Sequence, residues 1–355
     1  MRIGQKLHVF FDGSRKEPYG EADNEIRSIL TSIYYPAVNS NHGDEDKIYA
    51  ELFAPCQAEA LELLKSMGVD ESFFLSLKTS AHRDAEPNEQ LQEAPVILLS
   101  PAFGVVKDMY MFLIEKLVAC GFIVVAVGAT YESIFSAFPN GTCIIQAEAV
   151  SRQARDDETF WQELLRNRVE DIRYVIGHLD DIGERGFGHR LSSAGIGIVG
   201  HSLGGAAAFE AAKKEERIAA VIMLDPSFDL LDLSGQTNFM QPVLVMRQEK
   251  CTSEELEGDI SSSIVEPFLA GYERLYSYLQ GYTAFLKVEG AHHLTFCDVP
   301  LHNDEQDVVA LHDAIRESAA LFMEEFIMGR PKAFQERKPA HPIAAIDHHG
   351  NVKHK

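Results

Sequence analysis

A chain of 355 residues, 46% hydrophobic and 24% charged, has the make-up of an ordinary globular protein with ample material for a core, and wholesale disorder is excluded. Its 54 acidic residues against 32 basic ones give a formal charge of -22, a field that repels phosphate backbones and anionic membrane surfaces, so nucleic acid is excluded as a partner. The length fits a single domain over residues 1–330 followed by a loosely ordered tail, 331–355.

The first ten residues contain no apolar signal core, and no window supplies the ~18 apolar residues of a membrane span. A cytoplasmic location without integral membrane association is therefore expected. Cys56, Cys120, Cys143, Cys251 and Cys297 are odd in number and far apart, which points to free thiols rather than a disulfide framework or a zinc site.

In chain order, Phe10-Phe11-Asp12-Gly13-Ser14-Arg15 and Pro18-Tyr19-Gly20 read as turns, and Ile29, Thr31, Ile33 and Tyr35 alternate as a strand ending at Pro36, together an edge hairpin. Leu61, Leu63, Leu64 and Met67 mark a short helix over 56–67. Val96-Ile97-Leu98-Leu99-Ser100 is a continuous apolar run of the kind a parallel sheet buries on both faces. A helical period over 107–119, closed by Gly121, leads to a second such run at 122–127 and completes one βαβ unit.

Residues 131–160 are irregular and a candidate cover for a pocket, and 164–179 read as an amphipathic helix. The β-branched run at 195–199 ends in Gly200-His201-Ser202-Leu203-Gly204-Gly205 and opens into an alanine-rich helix, 206–214. Strands follow at 219–224, closed by Asp225-Pro226, at 243–246 and at 284–288, with a mixed acidic and aromatic segment, 248–282, as a second candidate cover. Strands alternating with helices predict an α/β fold with a mostly parallel central sheet and helices on both faces. The tail histidines His341, His348, His349 and His354 are expected to bind metal adventitiously at most.

The chemistry centres on the G-x-S-x-G turn. A serine on so tight a strand-to-helix turn projects its hydroxyl from the sheet edge, with small residues at 200 and 204 for close backbone approach. Serine is a weak nucleophile at neutral pH and needs a base, itself oriented by a carboxylate. Asp225 ends the first strand after the nucleophile helix and leads over its neighbours Asp229 and Asp232. The base belongs in the loop after the last core strand, Gly290-Ala291-His292-His293-Leu294-Thr295-Phe296-Cys297-Asp298, where either adjacent histidine can serve; His201 beside the serine is a third candidate. Leu203 and, from the loop Pro101-Ala102-Phe103-Gly104, Phe103 are the expected backbone donors of an oxyanion hole, Pro101 having no N–H.

These stretches, with Asp12-Gly13-Ser14-Arg15, Tyr34-Tyr35-Pro36-Ala37 and Leu224-Asp225, resemble the platelet-activating-factor acetylhydrolase family of α/β-hydrolases in its monomeric, serine-dependent branch, over most of residues 8–325. The resemblance implies the α/β-hydrolase fold. Its G-x-x-H-x-x-F-x-D pattern falls on Gly290, His293, Phe296 and Asp298, which implies His293 as the catalytic base beside Ser202 and Asp225, with Phe103 and Leu203 as oxyanion donors. Two stretches depart from the family: Ser100-Pro101-Ala102 stands where Ser-His-Gly is usual, and Gly128-Ala129-Thr130-Tyr131-Glu132 replaces His-Arg-Asp-Gly.

The expectation is a cofactor-independent serine esterase acting on a small-molecule ester with a short or modified acyl group. Two alternatives stand beside it. One is a biosynthetic hydrolase or acyltransferase that releases or cyclises a tethered intermediate; the other is a non-catalytic binding protein on a hydrolase scaffold.

Overall fold

The continuous apolar runs become the middle of a ten-stranded sheet. The computed structural model describes residues 1–20, 22, 24–39, 46–88, 91, 94–153, 157–187, 191–234, 239–256, 262–303 and 308–353. From one edge to the other the strands are Ile343–Ala345, Thr283–Val288, Val243–Arg247, Ile218–Leu224, Ser192–His201, Pro95–Ser100, Ile123–Val127, Ile26–Pro36, Ile3–Lys16 and Ala81–Arg83. The six from Thr283–Val288 to Ile123–Val127 are parallel to one another.

Alternate strand residues point to opposite faces, and both faces are apolar. Leu98, Val125, Ile198, Val221 and Val245 enter one core with the helices Glu158–Gly177, Leu203–Ala212 and Ser262–Tyr278. Leu99, Val124, Val199, Ile222 and Met246 enter the other, covered by Met111–Ala119 and Val308–Phe326. Each such buried aliphatic side chain contributes about 1.5–3 kcal/mol. Both cores end at the carboxyl edge of the parallel strands, where Ser100, His201 and Leu224 deliver their chains into loops.

Three expectations are corrected. Asp12 to Arg15 is not a turn; it lies inside the long strand Ile3–Lys16, at a register shift between Asp12 and Lys16. The turn chemistry is real but makes a bulge, for Asp12 accepts hydrogen bonds from the Ser14 N–H (3.0 Å) and hydroxyl (2.6 Å). Nor is the hairpin at the edge, because Ala81–Arg83 pairs in parallel outside it. Finally, the C-terminal stretch is tied down: Ile343–Ala345 pairs antiparallel with Thr283–Val288, Ile346 is fully buried, and the Tyr272 hydroxyl donates to the Asp347 carbonyl (2.6 Å). His354 lies outside the described residues.

The N-terminal hairpin is held by buried charge. Arg27 donates to both Glu17 oxygens (2.8 and 2.9 Å) and to both Asp171 oxygens (3.2 and 2.5 Å), and Arg15 adds a bond to Asp171 at 2.7 Å. Since Asp171 belongs to the helix Glu158–Gly177, this cluster fixes that helix to the hairpin.

Candidate active site

Ser202 follows the strand Ser192–His201 and caps the helix Leu203–Ala212 with φ +56° and ψ −123°, a conformation that costs a non-glycine residue about 1–3 kcal/mol. The elbow survives because Gly200 and Gly204, which lie where its backbone passes closest to other chain, have no side chains. A Cβ on Gly200 would lie 2.0 Å from the Gly204 carbonyl oxygen, and one on Gly204 would lie 2.3 and 2.4 Å from the carbonyl oxygens of Ser100 and Pro101. The second clash also shows that the 100–104 loop lies directly against the elbow. The N–H of Ser202 is anchored on the Leu224 carbonyl (2.9 Å), which ties the turn to the strand that ends at Asp225.

Asp225 is buried, and its Oδ2 lies 2.6 Å from His293 Nδ1; His293 Nε2 lies 3.0 Å from Ser202 Oγ. A carboxylate accepts, so Nδ1 carries the proton and Nε2 is free to accept the serine O–H. Burial acts to raise the Asp225 pKa, but the hydrogen bond and charge of His293, with Arg247 and the Gln248 N–H, outweigh it and hold the carboxyl below its ordinary value. For His293 burial acts downward, and the bond and charge of Asp225 win, so its pKa is raised. The imidazole keeps 44% of its side-chain surface open, enough to meet a substrate.

His201 has a different task. Its Nε2 lies 3.0 Å from the His293 carbonyl oxygen, which can only accept, so Nε2 carries the proton and Nδ1 accepts the Tyr110 O–H at 3.1 Å. Tyr110 Oη in turn accepts the Ala102 N–H at 2.8 Å. Burial, then the charge of His293, lowers the His201 pKa to about 3, so the ring stays neutral. One unbroken line of hydrogen bonds thus joins the 100–104 loop, the elbow and the His293 loop.

The same loop is held from outside by residues 132–134 and the helix Glu158–Gly177. Arg168 donates to the Pro101 carbonyl and, at 2.8 Å, to Glu132, in a pair with both side chains buried. Ser133 Oγ donates to the Val105 carbonyl (3.0 Å), and Ile134 N–H to the Gly104 carbonyl (3.0 Å). Among the described residues the N–H groups of Phe103 and Leu203 have no hydrogen-bond partner in the protein. The Leu203 N–H follows Ser202 at the positive end of the helix Leu203–Ala212, where a developing anion is favoured. The Phe103 ring meets Trp161 edge to face, 5.0 Å between centroids.

A family model for the Dienelactone hydrolase family matches residues 82–254. No curated protein matches the chain. Among solved structures, a ferulic acid esterase from Streptomyces cinnamoneus is similar over 98% of this chain and 96% of its own, with 25% identity and a TM-score of 0.77. The chain has the α/β-hydrolase fold. It is an enzyme, a serine hydrolase of ester bonds, and among its described residues no helix is long and apolar enough to cross a membrane.

The fold brings Ser202, Asp225 and His293 together, puts Leu203 next to Ser202 at the helix start, and carries Phe103 on the loop whose Ser100 and Pro101 carbonyls meet Gly204. It places the competing residues elsewhere. Asp232 is occupied by Ser234 (2.6 Å), His292 N–H donates to Thr295 Oγ1 (3.0 Å), and Cys297 is buried with its thiol pKa pushed up by burial. Asp298, the last residue of the G-x-x-H-x-x-F-x-D pattern, accepts from Tyr49 Oη and Met111 N–H, both at 2.6 Å, and so ties the His293 loop to the start of the helix Met111–Ala119. Tyr110, Glu132 and Arg168 belong to no motif in the sequence. The one available signal was Glu132, the only acid in a stretch that departs from the resembled family.

Proposed function

We propose that this esterase cleaves a small carboxylic ester through an acyl-enzyme, with Ser202 as nucleophile. His293 Nε2 takes the Ser202 proton as Oγ attacks the ester carbonyl, and Asp225 holds the tautomer and balances the imidazolium that forms. The amides of Phe103 and Leu203 meet the oxyanion. His293 then protonates the departing alkoxide, accepts a proton from the incoming water, and the acid is released as Ser202 is restored. The observation that carries this reading is the continuous line from Ser202 Oγ through His293 to Asp225, at 3.0 and 2.6 Å.

The acyl group sits against Phe103 and Trp161, the aromatic pair beside the oxyanion amides. A short or oxidised acyl chain suits the family resemblance. A second reading, an aromatic acyl group such as feruloyl, draws on the same ring pair and on the neighbouring ferulic acid esterase. The ratio of kcat/KM for p-nitrophenyl acetate and methyl ferulate, measured against a W161A variant, separates the two, since only the aromatic ester should lose heavily with the indole.

Ser202→Ala should keep the fold, lose fluorophosphonate labelling and lower kcat by about 10⁶-fold. Turnover at the wild-type rate in that variant overturns the proposal. Product analysis with an added alcohol distinguishes hydrolysis from acyl transfer.

A further inference from the structure

Arg247 is the largest of the fully buried side chains, 1% exposed, and it lies at the end of the strand Val243–Arg247 next to the site. A guanidinium so deep in a protein is normally paired with a carboxylate, because an uncompensated buried charge is costly. This one is not. Among the described residues no carboxylate forms an ion pair with it, and its Nε and one terminal nitrogen have no hydrogen-bond partner. It is lodged among ring faces instead: its central carbon lies 4.4 Å from the Tyr272 ring centre, 5.4 Å from Phe228 and 5.6 Å from Phe268. Aromatic faces attract a cation without neutralising it. The Tyr272 hydroxyl, the one polar group of that cage, donates to the Asp347 carbonyl and leaves Arg247 only its neutral oxygen, which offers a hydrogen bond but no counter-charge.

The position of Arg247 says where its field goes. Its two chain neighbours cradle Asp225: the Met246 carbonyl accepts the Asp225 N–H at 2.7 Å, and the Gln248 N–H donates to Asp225 Oδ1 at 3.3 Å. Phe228, one wall of the cage, stands three residues after Asp225 on the same turn. The other titratable groups around Asp225 are His293 and His201, on the elbow and base-loop sides, and Cys251 beyond Arg247; Lys287 and Glu255 face Cys251 from further out. His201 is neutral, so Arg247 is the one permanent cation of this set whose charge acts on Asp225.

We propose that Arg247 is a positioning residue for the reaction, a cation kept in an aromatic cage so that its charge, left unpaired, supports the buried Asp225 carboxylate. The proposal rests on reading Asp225 as the acid of the serine machinery. A carboxylate placed directly on Arg247 would cancel that field. Without the cation, both Asp225 and the His293 imidazole take up protons more readily, so activity fails at higher pH as the solution is acidified.

The test is the pH profile of kcat/KM for p-nitrophenyl acetate in Arg247→Met and Arg247→Lys, alongside Ser202→Ala. Arg247→Met should move the acid limb upward by about one pH unit, while Arg247→Lys, which keeps the charge, should stay within about a third of a unit of wild type. Equal limbs in wild type and Arg247→Met, or equal displacement in both variants, overturns the proposal. If either variant does not fold, Phe268→Leu decides: it opens one cage wall, admits screening, and should shift the limb in the same direction by a smaller amount, whereas an unshifted limb rejects the idea. Activity surviving in Ser202→Ala would instead reject the serine mechanism on which the proposal depends, so the two failures are distinguishable.

Discussion

The two sides of the site are built by different means. The nucleophile side is made by backbone: the positive φ of Ser202, the bare Cα atoms of Gly200 and Gly204, and strand ends that fix Ser202 and Asp225 through main-chain bonds. The oxyanion side is made by side chains from distant segments, with Arg168 on the Pro101 carbonyl, Tyr110 on the Ala102 N–H and Ser133 on the Val105 carbonyl. Backbone geometry is shared by any chain with the same elbow. A loop framed by side chains can be reset by changing one of them, so the oxyanion side is where a hydrolase scaffold of this kind can be retuned without touching its nucleophile.

The sharpest way to break this contrast is Gly204→Ala, which forces the two sides apart at their contact. Its new methyl would stand 2.3 Å from the Ser100 carbonyl oxygen. A loss in kcat of about 10²–10³-fold is expected, the size of a lost oxyanion donor. Steady-state kinetics beside a thermal melt by circular dichroism would check it, and a folded variant of wild-type kcat would show that the loop does not depend on the elbow. Glu132→Gln comes next. It leaves Arg168 buried without its counter-charge and should cost about 3–5 kcal/mol of stability in urea unfolding, with a smaller fall in kcat. A change within about 0.5 kcal/mol, the ordinary range for surface substitutions, would mean that this pair does not hold the loop.

The same contrast explains what was legible beforehand. The parallel strands were readable because burial on both faces leaves an uninterrupted apolar run, as at Val96 to Leu99, and the elbow because its glycines are sterically obligatory. Ser202, Asp225 and His293 arrive at ends of such strands in a fixed chain order. Arg168 carries no local signal, and Glu132 only its place in a stretch that departs from the resembled family. They are 36 residues apart, and an arginine on an amphipathic helix reads as solvated until its partner is known. Asp12 misled for the opposite reason: the residue pattern of a turn is also that of a bulge, and only the pairing with Ile26–Pro36 decides between them. The tail looked loose because its three-residue strand is shorter than any periodicity can reveal.

Tyr110→Phe tests the oxyanion frame more gently. Loss of one hydroxyl leaves the Ala102 N–H and His201 Nδ1 without partners, which should cost about 1–3 kcal/mol of stability and lower kcat about tenfold. Since Ser202, Asp225 and His293 are untouched, fluorophosphonate labelling should persist, although slowed. An unchanged kcat would place the Ala102 peptide under the control of Arg168 alone.

The smallest effect is the most discriminating about charge. His293 must be neutral to accept the Ser202 proton, and its pKa is raised above 6.5 because the hydrogen bond and charge of Asp225 overcome the opposing effect of burial. Activity is therefore present above that raised value and lost as pH falls through it, so the acid limb of kcat/KM should have its midpoint above pH 6.5. The slope carries a second statement. His201, lowered to about 3, and His312, lowered by burial to about 4 and bonded to the Thr295 carbonyl, flank the His293 loop on both sides. Both remain neutral throughout the limb, so it should fall with unit slope, one proton per active site. A slope of two would mean that His201 is protonated together with His293, and the bond that its Nδ1 accepts from the Tyr110 O–H would then have to break. In that event the oxyanion loop would be coupled to pH, and the side of the site built from side chains would titrate along with the side built from backbone.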